Sequence, residues 1–505
     1  MKKDFQNLKE LMEAIGNFKS DRIEIFNKTQ ANSKFGSFYN ELRKGNIDSE
    51  ESAIKVLYEG KKGQRKNFLK LKNRFRERLL NTVLFVDLSN PKFQNYNKAF
   101  YRGNKNFAII KVLKGRGAHG AAQELAEKTF RMIREFDYTD LNFLLANILK
   151  QHYALFEPNQ KKYNMFRDEE KLFLEILQAE VMAKEFYFEL AMPFTKSKAS
   201  KPELVNLAET YCSRLAPFME KIQTVDFIDN AYGVYFMRYA IDNDIANANR
   251  ICDRALNLME KKPFIHRGII PFFAANLTSG LVKLKKYEEA LKTVKKYEKI
   301  LGSPVYMTTL YMAQFMLFVH TERYDEALEL HWKVTQHPSF KTKSRQTHET
   351  WKLYEAYLFL FFKVGKYKNK EKASSYIGNF KYGKFFNEVP AFSKDKSGVN
   401  VSILVFQVLM FLSQKNYNKF IDYVDALARY SSRYLKKDET YRSNCFIKML
   451  LTLPEADFHK VAVIRKAEKL VKRLEEMPLE IAPQSSELEI VPYEMLWESA
   501  LELLE

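Results

Sequence analysis

Two stretches of this chain carry the same turn at a spacing of 37 residues. In the first, an apolar run over 269–285 is followed by KKYEEALKTVKKYEKIL. In the second, an apolar run over 305–320 is followed by ERYDEALELHWKVTQHP. Tyr287 aligns with Tyr324, and Ala290 with Ala327. Apolar residues at helical spacing flank each turn, so each unit predicts two antiparallel helices joined by a short connection. Weaker copies place Tyr367 in GKYKNKEKASSYI and Tyr417 in KNYNKFIDYVDAL, at spacings of 43 and 50, so loops lengthen between units. One hairpin cannot bury its apolar stripe alone, whereas stacked neighbours can. The predicted fold class is all-α, a helical-hairpin repeat solenoid with no β-sheet of note. Composition agrees. The 17 Gly and 14 Pro make about 6% of 505 residues, where average usage gives roughly 12%. With 46% hydrophobic residues the chain is no disordered polycation, despite a net charge of +20.

The turn aromatics Tyr287 and Tyr324, the small packing residues Ala290 and Ala327, and Pro304 and Pro338 near the unit ends carry a resemblance. This pattern resembles the tetratricopeptide repeat family, whose helix–turn–helix units run to about 34 residues. The family's Trp-Leu-Gly signature is missing from the first helix, where Ala274, Leu277 and Thr278 stand. The resemblance is best over 270–340 and looser over 235–430. It implies a right-handed superhelix with a long inner surface for binding proteins. From about 380 onwards, FFNEVPAFSKDKSGVNVSILVFQ and YRSNCFIKMLL are similar to uncharacterised bacterial helical-repeat proteins, which implies no activity. Lys-, Ser-, Gly- and Pro-containing breaks at 195–202 and 382–400 divide the chain into three. These are an N-terminal helical region 1–195 with a basic segment 61–116, a hairpin array 203–380, and C-terminal hairpins with an acidic end helix 400–505.

Charge is polarised along the chain. Residues 61–116 hold sixteen Lys/Arg and two acids, and account for +14 of the net +20; residues 474–505 hold nine Glu and no Lys or Arg. Within the basic segment, Lys62, Lys66, Lys70, Arg74 and Arg78 form an i,i+4 row, with Phe68, Leu71, Phe75 and Leu79 roughly opposite. Like charges at this spacing each cost a few tenths of a kcal/mol. The row therefore reads either as a face for an anionic partner or as a solvated face. Lys92, Lys98, Arg102, Lys105, Lys111 and Lys114 follow, interleaved with Phe93, Tyr96, Phe100, Tyr101 and Phe107. That mixture reads first as aromatic core with a polar rim, and second as a surface that stacks single-stranded bases and holds phosphates. At the other end, Glu494, Glu498 and Glu502 form an acidic row after Pro492, and Trp497 with Met495, Leu496, Ala500, Leu503 and Leu504 supplies apolar surface. This helix reads as a solubilising cap or as a tail that docks on the basic head of the next chain. Head-to-tail contacts build rings or filaments.

Motifs for chemistry are weak. Gly115, Gly117 and Gly120 spell GxGxxG after the strand-like run FAIIKVL, with Asp137 and Asp140 about 20 residues on. No second βαβ unit follows, and the stretch also has the rhythm of a hairpin turn, with His119 at the aromatic position and Ala122 at the small one. His348 and Glu349 begin an HExxH pattern, but Lys352 stands at the second ligand position. His320, His331, His337 and His348 have no partner at metal-ligand spacing. No catalytic residue, metal or cofactor is expected. Cys212, Cys252 and Cys445 are far apart and form no disulfide framework, which predicts a reducing cytoplasm. Asp4, Glu10 and Glu13 interrupt any signal sequence at the start, and the longest uncharged stretches, 301–320, 269–282 and 398–414, are too short or broken for a membrane span. The expected function is a non-enzymatic scaffold for protein–protein interaction, a bacterial-type structural protein that self-assembles head to tail into an oligomer or filament. The alternative is an RNA- or DNA-associated protein using 61–116. Membrane attachment is not expected.

Overall fold

The structure, a computed structural model, describes residues 5, 7–9, 11, 12, 33–61, 63–83, 95–196, 201–388, 399–434, 441–477, 479 and 489–504. Among these the chain is all-helical, with no strand. It divides into two compact units, Met1–Leu177 and Gln178–Glu505. The division falls inside a single long helix, upstream of the 195–202 stretch.

The first unit holds α1 (Lys34–Lys44), α2 (Glu50–Tyr58), α3 (Arg65–Val83), α4 (Asn95–Gly115), α5 (His119–Ile133) and α6 (Thr139–Leu155). Ser33 and Ser49 cap α1 and α2, and Ser49 forms a reciprocal capping box with Ser52. Phe38, Phe68 and Phe75 are fully buried between α1 and α3, with ring centroids 4.8 to 5.5 Å apart. The FAIIKVL run lies within α4 and is helical throughout. A short apolar run suits a buried helix as well as a strand, and here packing against α5 selects the helix. Helix α7 (Gln160–Lys196) crosses from this unit into the next.

The second unit continues with α8 (Lys201–Leu215), α9 (Val225–Ile241), α10 (Ile245–Glu260), α11 (Ile270–Lys283), α12 (Tyr287–Leu301), α13 (Thr308–His320), α14 (Tyr324–Thr335), α15 (Arg345–Lys363) and α16 (Lys370–Ile377). Then come α17 (Tyr382–Glu388), α18 (Val399–Ser413), α19 (Tyr417–Tyr434), α20 (Tyr441–Glu455), α21 (Lys460–Glu476) and α22 (Tyr493–Glu502). Successive hairpins pack on one another, α11 against α13 and α15 against α18.

One turn recurs through both units. After α4, α9, α11, α13, α15, α18 and α20 the chain passes through a left-handed residue: Gly117, Asn243, Lys285, Glu322, Gly365, Lys415 and Asp457. The next amide donates back to a carbonyl five residues earlier at 2.8 to 3.0 Å, as in Lys286 to Leu281, Arg323 to Phe318, Lys366 to Phe361 and Asn416 to Phe411. This bond closes a Schellman cap, which satisfies the last carbonyls of the helix. Only two of the seven positions are glycine, although a side chain there costs roughly 1 kcal/mol. Two residues on stand Tyr287, Tyr324, Tyr367 and Tyr417, and in the first unit His119, whose ring stacks on Phe156 at 3.9 Å. Ala122, Ala290 and Ala327, three residues further, are 1%, 0% and 0% exposed. Close packing also sets Gly280, where a Cβ would fall inside the Asn249 side chain of α10.

His331, in the middle of α14, is 3% exposed. Its Nε2 lies 3.0 Å from the Trp351 carbonyl and its Nδ1 3.0 Å from the Tyr376 hydroxyl. Burial pushes this imidazole down to about 4 from an ordinary 6.5. A depressed histidine favours the fold fully above pH 6.5, and this contribution is lost as pH falls from 6.5 to 4. The shift is worth about 3 kcal/mol. Urea denaturation of the chain and of His331→Phe at pH 7 and pH 4 checks this. The stability difference between them should narrow by about that amount in acid, and parallel pH dependences would refute it.

Candidate interaction site

The basic row lies on α3 of the first unit. The helix begins at Arg65, and Lys62 lies outside the described residues. Lys66, Lys70 and Arg74 are exposed and pair with no described residue. Arg78 instead lays its guanidinium over Phe35, 4.8 Å from the ring centre. Two cations on the flank of α3 are tied down as well: Arg65 and Lys72 both reach buried Glu50, at 3.1 and 3.6 Å.

The aromatics that follow gather among themselves. Tyr96 stacks on Tyr138 at 5.1 Å, Phe100 lies 5.7 Å from Tyr138 and 5.5 Å from Tyr101, and the Tyr138 hydroxyl donates to the Tyr96 carbonyl at 2.8 Å. These rings line the joint between α4 and the turn before α6. Phe100 keeps 46% of its surface. Lys92 and Phe93 lie outside the described residues. Gly117 sits at the left-handed turn position between two helices, so the glycine motif forms a hairpin connection and not a strand-to-helix phosphate loop.

The acidic helix is α22, and it is seated on its own unit. Leu496, Trp497 and Ala500 are 1%, 5% and 0% exposed, covered where α22 packs on α20 and α21. The sequence leaves this helix as a cap or as a tail that docks on another chain; here its apolar face, Trp497 included, is covered within its own unit. The acidic row borders the packed face. Glu498 is exposed, Glu502 bonds to Lys366 Nζ at 2.6 Å, and Glu494 meets Arg442 Nη2 at 2.6 Å. The row also stands near the repeat turns. Burial and then the charge of Glu494 raise the Tyr287 hydroxyl, and burial raises that of Tyr324, with Glu322, Glu498 and Glu502 adding to it.

The centre of this seat is Arg442, 1% exposed at the start of α20. Its Nε and Nη2 hold both oxygens of Glu489 at 3.0 and 2.9 Å, and its Nη1 donates to the carbonyls of Leu474 and Met477 at 2.5 and 3.0 Å. Glu489 in turn accepts from the Tyr493 amide at 2.6 Å, capping the first turn of α22. Tyr493 stacks on Phe446 at 4.6 Å, and its hydroxyl lies 2.9 Å from that of Ser443. Across the seat, His320 Nε2 at the end of α13 lies 3.3 Å from the Glu489 carbonyl. Burial pushes His320 down to about 4 and the Glu489 carboxyl up to about 7, against the pull of Arg442. Lys283, half-buried within the field of His320, is pushed down to about 7 by burial and pairs with no described residue.

No protein-family model, curated protein or solved structure matches this chain.

Arg442 and Glu489 carry no sequence motif. The one sign is position: a cation in the first turn of a helix opposes the macrodipole, and so asks for carboxylates nearby. A separate cavity of about 350 Å³ opens between α14 and α16, lined by Leu328, Glu329, Trp332, Lys372, Ser375 and Tyr376. Its Glu329 and Lys372 are paired with each other. Among the described residues no cluster of three or more His, Cys, Asp or Glu is placed to hold a metal ion. No described helix is long and apolar enough to cross a membrane.

Proposed function

We propose that this chain is a non-enzymatic scaffold for protein–protein interaction, built as a tetratricopeptide-like α-solenoid with a right-handed superhelix and working in the cytoplasm. The observation that carries this reading is that the array already holds a helix. Residues 489–502 reach α13, the α15–α16 turn and α20 at once, and contact residues 169 and 136 positions away in sequence. Stacked hairpins recognise helices by this combination of apolar seat and charged rim. Head-to-tail self-association remains part of the proposal in a narrower form. The basic side is the exposed trio Lys66, Lys70 and Arg74, and the acidic side is the outer edge of docked α22, led by Glu498.

The nucleic-acid reading rests on the same exposed trio. Cross-linking the full chain in its host, with and without nuclease, separates the two. A scaffold keeps its cross-linked proteins after nuclease, and a nucleic-acid binder loses them. Light scattering of the purified chain at low and high salt tests the assembly. Salt-sensitive oligomers that vanish in Lys66→Glu/Lys70→Glu/Arg74→Glu are expected, because exposed pairs are screened. A strictly monomeric chain at low salt removes self-association from the proposal.

A further inference from the structure

We propose that the surface covered by residues 489–502 is the recognition site of the scaffold, and that its partner is an acidic amphipathic helix of another protein which displaces the chain's own segment. The inference rests on the scaffold reading and adds the site and the chemistry of its ligand.

A permanent cap needs only apolar burial, and Leu496, Trp497 and Ala500 supply that. The seat instead takes a full ion pair out of water. Arg442 and Glu489 are 1% and 7% exposed, and their bonds are bidentate. A buried ion pair adds little over apolar side chains of the same volume, while it penalises any occupant that lacks the carboxylate. The contact therefore selects its occupant more than it strengthens the fold. The rim repeats the preference, with Glu494 on Arg442 and Glu502 on Lys366.

The chain's own segment also fits incompletely. Lys283, at the end of α11, pairs with no described residue, and the Nδ1 of His320 is buried without a hydrogen-bond partner among the described residues. An acidic helix with one more carboxylate toward α11 satisfies the surface better than residues 489–502 do. The required chemistry is thus a carboxylate for Arg442, an aromatic ring for Phe446, a tryptophan-sized apolar face, and a carboxylate toward Lys366. The advantage of the resident segment is its tether, which raises its effective concentration without adding a contact.

The experiment removes the tether and leaves every residue of the seat and of 489–502 in place. A protease site is introduced within 478–488 of the full chain, the purified protein is cut, and a fluorescent peptide with the sequence of residues 487–505 is added. The peptide should exchange into the cut chain with saturable binding, and bind the uncut chain about 100-fold more weakly. A peptide with Glu489→Gln, Glu494→Gln and Glu502→Gln should lose at least about 30-fold, because Arg442 stays buried without its carboxylates. Arg442→Met in the cut chain should lose that discrimination between the two peptides. Equal binding of both peptides by the unsubstituted cut chain would overturn the proposed chemistry. Absence of saturable binding by a cut chain whose circular dichroism is unchanged would overturn the site. Neither failure touches the scaffold reading, which nuclease-resistant cross-linking tests separately.

Discussion

Arg442→Met is expected to weaken the docking of residues 489–502 by about 3–5 kcal/mol, the range for breaking one side of a buried pair. The guanidinium satisfies both oxygens of Glu489, one of Glu494, and the carbonyls of Leu474 and Met477. Removing it takes away the charge that opposes burial, so Glu489 must either stay ionised with only the Tyr493 amide to meet it or take up a proton. Glu494 is partly exposed and recovers water. The released segment should be cut early in limited proteolysis. The emission of Trp497, 5% exposed when docked, should shift toward that of a solvated indole. The double substitution Arg442→Met/Glu489→Leu should restore a large part of the loss, since no uncompensated charge remains. A double-mutant cycle with no coupling between the two positions would contradict this account.

Trp351→Ala should lower the stability of the second unit by about 3–5 kcal/mol, the usual range for emptying a buried Trp site. Trp351 is 1% exposed, with ring partners Tyr354 at 5.3 Å, His331 at 5.6 Å and Phe315 at 6.2 Å. The aromatic layer between α13, α14 and α15 converges on it. Its indole N–H has no partner among the described residues, so Trp351→Phe loses volume but no hydrogen bond and should cost about 1 kcal/mol. Trp332, one of the other two tryptophans, is 52% exposed, and Trp332→Ala should change stability by less than about 1 kcal/mol. Urea denaturation of the three variants ranks them, and a Trp351→Ala loss no larger than that of Trp332→Ala would show the core lies elsewhere.

Parts of this architecture were legible in the residues, for physical reasons. Tyr287 and Tyr324 with Ala290 and Ala327 mark helix starts because a buried small residue three places after the turn is what close hairpin packing demands. Both alanines are fully buried. The turn itself was not legible. Its left-handed residue is Lys285 in one hairpin and Glu322 in the next, and neither side chain signals that conformation, since the carbonyl bonds it completes outweigh its local cost. The basic row could be seen by period alone, although the helix starts three residues later than its first lysine. FAIIKVL shows the limit of an apolar run, which does not distinguish strand from helix until a neighbour packs on it.

The two ends divide the same way. By itself the sequence determined that the chain is helical, that one segment is strongly basic, and that the final helix has an acidic row and an apolar face, because these follow from local composition and a period of 3.6 residues. Only the tertiary structure decided what that final helix faces. Its seat is assembled from His320, Lys366 and Arg442, which no local pattern relates, and the bonds from His320 and Lys366 close loops of more than a hundred residues. A helical period tells which residues share a face; which surface covers that face is settled by long-range packing and by the need to satisfy a buried charge.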